Sequence, residues 1–274
     1  MAVEVVFGED PGWALYEAGK FLASDPVQHN LILTLLHTRV AYPEPGRYWV
    51  VRDGGAVVGV AFQSPLDFFA SFTPMGPEAV AALVETMVEA GVNLPGGNGE
   101  AATAARFAGQ WTERQGSAAF PVEGHRIYEL QGTPQETTAG GRMRKASLDE
   151  LEPVLTWMRD FFADIGEDVR DLEPMLKRRL QAGQFWLWEY GGPVSMAANS
   201  EPVEGVVRLQ AVYTPPDKRN RGYAGACVAG LSGRLQKAGY RCILYTDLGN
   251  PTSNSVYRRI GYRAVSEGLR YRFE

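Results

Sequence analysis

The sequence predicts an α/β chain with α+β character, built as two tandem domains of like plan, each a mixed, mostly antiparallel twisted sheet flanked by helices. Three observations predict it. The chain has 274 residues, close to twice the length of a common domain. Its midpoint, Gly132 to Gly141 (GTPQETTAGG), has no hydrophobic periodicity and is dense in Gly, Pro and Thr, which is linker chemistry. Two segments, Tyr48 to Ala61 (YWVVRDGGAVVGVA) and Phe185 to Ala198 (FWLWEYGGPVSMAA), align without a gap at an offset of 137 residues. In each, an aromatic and β-branched run meets a polar-Gly-Gly turn and a second strand follows, which is a hairpin pattern. The expected boundaries are 1–131, a linker at 132–141, and 142–274.

The first half opens with a helix around Trp13 to Leu22, followed by its hairpin and by an amphipathic segment from Glu78 to Ala90. Gly91 to Gly99 reads as a flexible loop that covers a cleft or connects elements. Ala101 to Trp111 reads as a helix whose Phe107 and Trp111 share one face, a pattern that suits packing. The second half opens with a helix entered from Ser147, with Asp149 and Glu150 in its first turn. Its apolar stripe is Leu151, Val154, Leu155, Met158, Phe161 and Phe162. Each half is expected to close on its own short aromatic-alternating strand, Arg126 to Leu130 and Leu269 to Phe273.

Hydrophobic residues make up 45%, aromatic residues 11% and charged residues 22% of the chain, which excludes long disorder and supplies a sizeable core. No apolar run approaches the roughly 18 residues needed to span a bilayer, and the N-terminus lacks the pattern of a signal peptide. A cytoplasmic protein without membrane contact is expected. Cys227 and Cys242 are too few for a zinc or iron-sulfur set and read as small buried hydrophobes, so no metal is expected. The formal net charge of −5 offers nucleic acid no general attraction. Its distribution says more. Residues 1–137 carry 7 Lys and Arg against 16 Asp and Glu, while residues 138–274 carry 20 against 16. A phosphate-bearing ligand is therefore expected in the C-terminal half, with scattered surface charge as the alternative reading.

The chemistry concentrates in Arg208 to Leu231 (RLQAVYTPPDKRNRGYAGACVAGL), which reads as strand, basic turn and helix. Two prolines stop the strand after Tyr213 and Thr214. Lys218, Arg219 and Arg221 stand just before a helix N-terminus, where free N–H groups and the positive end of the helix dipole favour anions and glycine lets a phosphate approach closely. Neither G-x-x-x-x-G-K-[ST] nor G-x-G-x-x-G is present, so a P-loop or a dinucleotide-binding turn is not supported. The run Arg219-Asn220-Arg221-Gly222-Tyr223-Ala224 instead resembles R/Q-x-x-G-x-G/A, the pyrophosphate-binding motif of the GNAT superfamily of acyl-CoA-dependent N-acetyltransferases. Downstream, Asn250 to Tyr262 (NPTSNSVYRRIGY) is similar to that family's N-x-x-S/A-x-x-x-Y-x-x-x-G-F/Y motif.

The resemblance covers residues 142–274 and implies an acetyl-CoA-dependent transfer of an acetyl group to a primary amine by direct attack. It implies that Val212, Tyr213 and Thr214 offer backbone groups to the pantetheine arm, and that Arg219, Asn220, Arg221, Gly222, Tyr223, Ala224 and Gly225 wrap the pyrophosphate. Asn250, with Asn254 a turn further on, would hydrogen-bond the arm or order its helix. Tyr257 would act as the general acid that protonates the leaving thiolate. The general base stays open. All three histidines lie in the N-terminal half, Glu201 and Glu204 read as loop charges, and Asp247 is the remaining weak candidate.

The first half shows the resemblance only faintly. Phe69 to Glu78 carries no Lys or Arg where the basic turn would stand, so this half reads as a degenerate copy that walls the acceptor cleft and presents an acidic surface to a cationic amine. A non-catalytic acyl-CoA-binding or regulatory module is the alternative, and transfer to a hydroxyl or thiol would use the same donor half. A monomer or a homodimer fits the sequence equally.

Overall fold

The structure, a computed structural model, describes residues 3–135, 137–166 and 172–274. Chain contacts divide them into two compact units. Unit 1 runs to Ile127 and adds Thr246–Asn250 and Ala264–Glu274; unit 2 holds Tyr128–Tyr245 and Pro251–Arg263.

In chain order the first elements are β1 (Val3–Gly8), α1 (Pro11–Ser24), α2 (Asn30–Ala41), β2 (Arg47–Asp53), β3 (Ala56–Gln63), β4 (Ala70–Phe72), α3 (Pro77–Glu89), β5 (Gly96–Glu100), α4 (Ala101–Gln115) and β6 (Ala119–Leu130). Helix α1 begins where Asp10 accepts the N–H groups of Gly12 and Trp13, which satisfies donors that a helix start leaves orphaned. In unit 1, β1, β2, β3 and β4 pair antiparallel in that order, and β4 pairs parallel with β5. The core gathers Trp49, Phe72, Leu83, Met87, Phe107 and Trp111, with α3 and α4 supplying the expected apolar faces.

The remaining elements are β7 (Arg142–Lys145), α5 (Leu151–Asp164), α6 (Leu172–Gln181), β8 (Phe185–Glu189), β9 (Pro193–Asn199), β10 (Val206–Tyr213), α7 (Tyr223–Lys237), β11 (Arg241–Asp247), α8 (Pro251–Ile260) and β12 (Tyr262–Phe273). A short 3-10 turn, Leu148–Glu150, leads into α5, and Ser147 and Glu150 form a reciprocal capping box there. In unit 2, β7 to β10 pair antiparallel in sequence and β10 pairs parallel with β11. Alternate residues of one strand face opposite ways. Trp186, Ala197 and Leu209 therefore pack with α7 and α8, while Phe185, Leu187, Met196 and Ala198 pack with α5 and α6.

The two hairpins match in detail. Both turns place consecutive glycines at positive φ, Gly54 and Gly55 in one and Gly191 and Gly192 in the other. Each carries a register shift at the aligned position, Val51/Arg52 in β2 and Trp188/Glu189 in β8.

Two expectations are corrected. The aromatic closing strands do not each stay with their own half. Leu269–Phe273, at the end of β12, lies in unit 1, where Gly268↔Glu100 through Arg272↔Gly96 pair antiparallel with β5. The end of β6, from Tyr128, lies in unit 2, and β6 neighbours β11 in the strand order. The physical reason on the unit 1 side is aromatic. Phe273 stacks against Phe107 and Trp111 at centroid distances of 6.3 and 6.0 Å. The stretch read as a loop, Gly91 to Gly99, carries all but the last residue of β5. Its glycines serve close approach, because a Cβ on Gly96 would meet the Tyr271 carbonyl oxygen and the Phe69 ring. The linker residues described between 132 and 141 carry no regular secondary structure, and α2 and α6 are helices that the sequence reading did not separate.

Candidate active site

The site begins with a break in a strand. Strand β10 pairs with β11 from Val206↔Arg241 to Leu209↔Leu244, and this ladder ends there although β10 continues to Tyr213. On its other side β10 shifts register against β9 between Gln210 and Tyr213, with Ala211 at φ 49°. A bulge of this kind re-aims the backbone. Among the described residues Val212 has no register partner in either ladder, so its backbone can hydrogen-bond an extended ligand. The Tyr213 and Thr214 carbonyls are committed otherwise. Ser195 Oγ donates to Tyr213 O at 2.9 Å, and Arg219 Nε donates to Thr214 O at 2.9 Å.

The turn after β10 is shaped for an anion. Asn220 and Gly222 both adopt left-handed conformations, at φ 62° and 80°, and Gly222 is the residue before α7. No side chain caps α7, and its first intrahelical bond runs from Ala226 N to Gly222 O. The preceding N–H groups are therefore open to an acceptor, at the positive end of a 15-residue helix. The cations differ in their commitments. Lys218 pairs with Asp217 at 2.9 Å and Arg219 with Asp164 of α5 at 2.7 Å. Arg219 also lies 5.7 Å from the Tyr213 ring centroid. Arg221 is exposed and has no ion-pair partner among the described residues.

Tyr257 projects from α8 into the core shared with α7. It is 9% exposed and meets Tyr262 edge to face at 6.2 Å. Burial pushes its hydroxyl up to about 12, because the phenolate would lose its hydration. The group is therefore a proton donor, never a base, at ordinary pH. It makes no hydrogen bond among the described residues. Asn254, one turn earlier, is 4% exposed and its Oδ1 accepts the Tyr128 hydroxyl at 3.0 Å, which ties α8 to β6.

Asp247 and Asn250 fall within unit 1. Asp247 Oδ1 accepts the Gly249 N–H at 2.7 Å, and Asn250 N donates to Asp247 O at 3.2 Å, so Asp247 builds the turn that precedes α8. The sequence reading missed Ser195, Asp160 and Asp164. The buried Ser195 hydroxyl contacts both Tyr213 O and Thr214 Oγ1. Asp160 accepts the Tyr213 hydroxyl at 3.2 Å. The four-residue spacing of Asp160 and Asp164 on a helix was the available signal, and the apolar stripe of α5 hid it.

In unit 1 the corresponding places differ. Gly76 precedes α3 without a side-chain cap, Glu78 sits in the first turn, and β4 has only three residues. A carboxylate there opposes anion binding. Both cysteines are buried and free, and no group of three or more His, Cys, Asp or Glu among the described residues is arranged to hold a metal ion. Among the described residues, no helix is long and apolar enough to cross a membrane.

Comparison with known proteins agrees with this geometry. A GNAT-family acetyltransferase from Colwellia psychrerythraea shares the fold over 100% of both chains, with a TM-score of 0.62 and 11% identity. A GCN5-related N-acetyltransferase from Sphaerobacter thermophilus matches 98% of this chain and 95% of its own, with a TM-score of 0.67 and 14% identity. A GCN5-related N-acetyltransferase from Kribbella flavida matches 78% of this chain and 86% of its own, with a TM-score of 0.55 and 18% identity. These likenesses show that the chain has the fold of these acetyltransferases. Residues 190–271, which carry the bulged strand, the glycine turn and Tyr257, match the FR47-like protein family model. No curated protein matches the sequence.

Proposed function

We propose that the protein transfers an acetyl group from acetyl-CoA to a primary amine, with the chemistry in unit 2. The observation that carries this reading is the uncapped N-terminus of α7 behind a left-handed glycine turn, on a segment that matches the FR47-like family. Acetyl-CoA supplies the acyl group as an activated thioester. The turn from Arg219 to Gly225 binds its pyrophosphate through open N–H groups, with Arg221 adding charge. The Val212 backbone, freed from the ladder at the bulge, holds the extended arm.

In the transfer a C–N bond forms at the acyl carbon while the C–S bond breaks. The ammonium first gives one proton to water or a carboxylate, of which Asp247 is the candidate; as the C–S bond breaks Tyr257 gives its proton to the departing sulfur, and the second N–H proton, lost on amide formation, restores the Tyr257 hydroxyl by way of solvent. Asn250 and Asn254 order the start of α8 and so position Tyr257. The turn at Asp247 and the Tyr128 contact of Asn254 support a positioning role more than direct contact with the donor.

The matched bulges and glycines of the two hairpins, with the like strand order of the units, support a tandem duplication in which unit 1 kept the fold without the chemistry. Titration calorimetry with acetyl-CoA, followed by thiol release across a panel of amines, tests the function. Micromolar binding and amine-dependent release are expected. Binding without release from any amine would leave the non-catalytic reading.

A further inference from the structure

The ladder between β10 and β11 ends at Leu209↔Leu244, and an arginine reaches across that end. Leu209 and Leu244 both pack with α7 and α8. Neighbours along a strand face opposite ways, so Arg208, Gln210 and Tyr245 face the side of α5 and α6. The Arg208 guanidinium lies 5.2 Å from the Tyr245 ring centroid, which carries it from β10 to the first residue of β11 beyond the pairing. A contact of a cation with a ring uses no hydrogen-bond acceptor. The Arg208 side chain is half-buried, and among the described residues it has no hydrogen bond or ion pair.

A second guanidinium crowds the same face. Arg179, near the end of α6, donates from Nε to Gln184 Oε1 at 2.9 Å and from Nη2 to Asn199 O at 3.1 Å. With the Gln210 carboxamide turned so that its oxygen accepts, that oxygen lies 2.6 Å from Arg179 Nη2 and 3.2 Å from Nη1. All three acceptors are neutral. Burial first, then the charges of Arg208 and Arg178, holds Arg179 down to about 10. Glu201 offsets part of this field, but its carboxylate accepts the Gln184 amide and forms no ion pair with Arg179 or Arg208 among the described residues. The face therefore carries unbalanced positive charge, and Arg208 is the arginine whose N–H fork is not given to the protein.

In the acetyl-CoA reading above, on which this inference rests, the donor is held from the side of α7. An amine then reaches the thioester from the opposite face of the sheet, and that face presents Arg208 where the two strands part. We propose that Arg208 binds an anionic group on the acceptor, so that the amine acetylated by this protein also carries a carboxylate or a phosphate. A planar guanidinium fork matches either group through two parallel hydrogen bonds. Arg179 is a positioning residue, because it holds Gln210 and adds to the field while its own N–H groups are committed.

The test is thiol release from acetyl-CoA by the full chain with matched acceptors: free amino acids against their carboxamides, and O-phosphoethanolamine against ethanolamine. The unaltered protein should favour the acidic member by about tenfold or more in kcat/KM, the size of a hydrogen bond to a charged group. The pair that shows the preference separates carboxylate from phosphate. In Arg208→Gln the ratio should collapse toward one through a higher KM for the acid, and Arg208→Lys, which keeps the charge and loses the fork, should give an intermediate ratio. Calorimetry with acetyl-CoA checks both variants, and a Kd within twofold of the unaltered protein is expected. Equal rates with the acidic and neutral members would overturn the inference alone, as would a ratio that survives Arg208→Gln. Loss of acetyl-CoA binding in both variants would overturn it in favour of a structural role for Arg208. Thiol release with none of the acceptors, although acetyl-CoA binds, would overturn the transfer reading and this inference with it.

Discussion

Arg219 Nη2 lies 2.7 Å from Asp164 Oδ2, so the arginine that opens the glycine-turn motif reaches back to α5. Both side chains are substantially exposed, at 44% and 53%, so the pair itself contributes at most about 1 kcal/mol. Its effect is directional. It fixes the start of the turn and leaves Arg221 as the turn's cation without an ion pair among the described residues.

Arg219 and Arg221 should therefore separate on substitution. Arg221→Ala is expected to weaken acetyl-CoA binding by about tenfold, the cost of one charge-assisted contact, with no change in Tm. Arg219→Ala should lower Tm slightly as well as weaken binding, and Asp164→Asn should reproduce the Tm effect. Equal binding losses without any Tm change in Arg219→Ala would show that Arg219 faces the ligand.

Tyr257→Phe should reduce kcat by roughly 10²- to 10⁴-fold, the range of general acid catalysis, while the Kd for acetyl-CoA stays within twofold. Because burial holds the hydroxyl up to about 12, the wild-type rate should show no alkaline decline from this group below about pH 10. A Phe variant with wild-type kcat would remove Tyr257 from the chemistry.

Stability should fall in alkali. Burial raises Cys227 and Cys242 from 9.0 to about 12 and Tyr257 from 10.0 to about 12, and it raises Tyr262 as well. A group whose folded value exceeds its unfolded value stabilises fully below the unfolded value, and that stability is lost as pH rises toward the folded one. The window opens near pH 9, and each ionising group contributes about 1.4 kcal/mol per pH unit. Urea midpoints at pH 8, 9, 10 and 10.5 should decline with growing slope. Cys242→Ala should flatten that slope at some cost in stability at pH 8. A midpoint constant to pH 10.5 would contradict the assigned burial.

Removing Leu269–Glu274 should damage unit 1 although the motifs stand in unit 2. Phe273 would leave the Phe107 and Trp111 rings, and β5 would lose its antiparallel partner. Amide exchange in residues 96–111 should accelerate by at least tenfold. Exchange unchanged there would mean that β12 contributes nothing to that core.

Elements whose residues meet near neighbours in the chain were legible in the sequence. The hairpins follow from Gly54-Gly55 and Gly191-Gly192, α5 from its capping box and stripe, and the basic turn from Arg219 to Ala224. What the sequence hid depends on distant partners. Gly96 to Gly99 looks like a loop because glycine is common in loops, and only the Phe69, Phe72 and Tyr271 atoms packed against it make it a strand. Arg219 reads as a phosphate ligand, and its contact with Asp164, 55 residues away, has no local signal in the sequence. The linker reads as slack because Gly, Thr and Ala carry no periodicity, whereas Gln236 and Trp188 hold it by donating to Gly132 O and Gly140 O.

The lending of end strands has an evolutionary consequence. If the chain arose by duplication, each copy now finishes on a strand encoded in the other, so the event works as a ratchet. Deleting one copy would leave the other with an uncovered sheet edge, an invitation to aggregation. A half that lost its chemistry would thus persist because its neighbour cannot close without it, and its retention requires no ligand of its own.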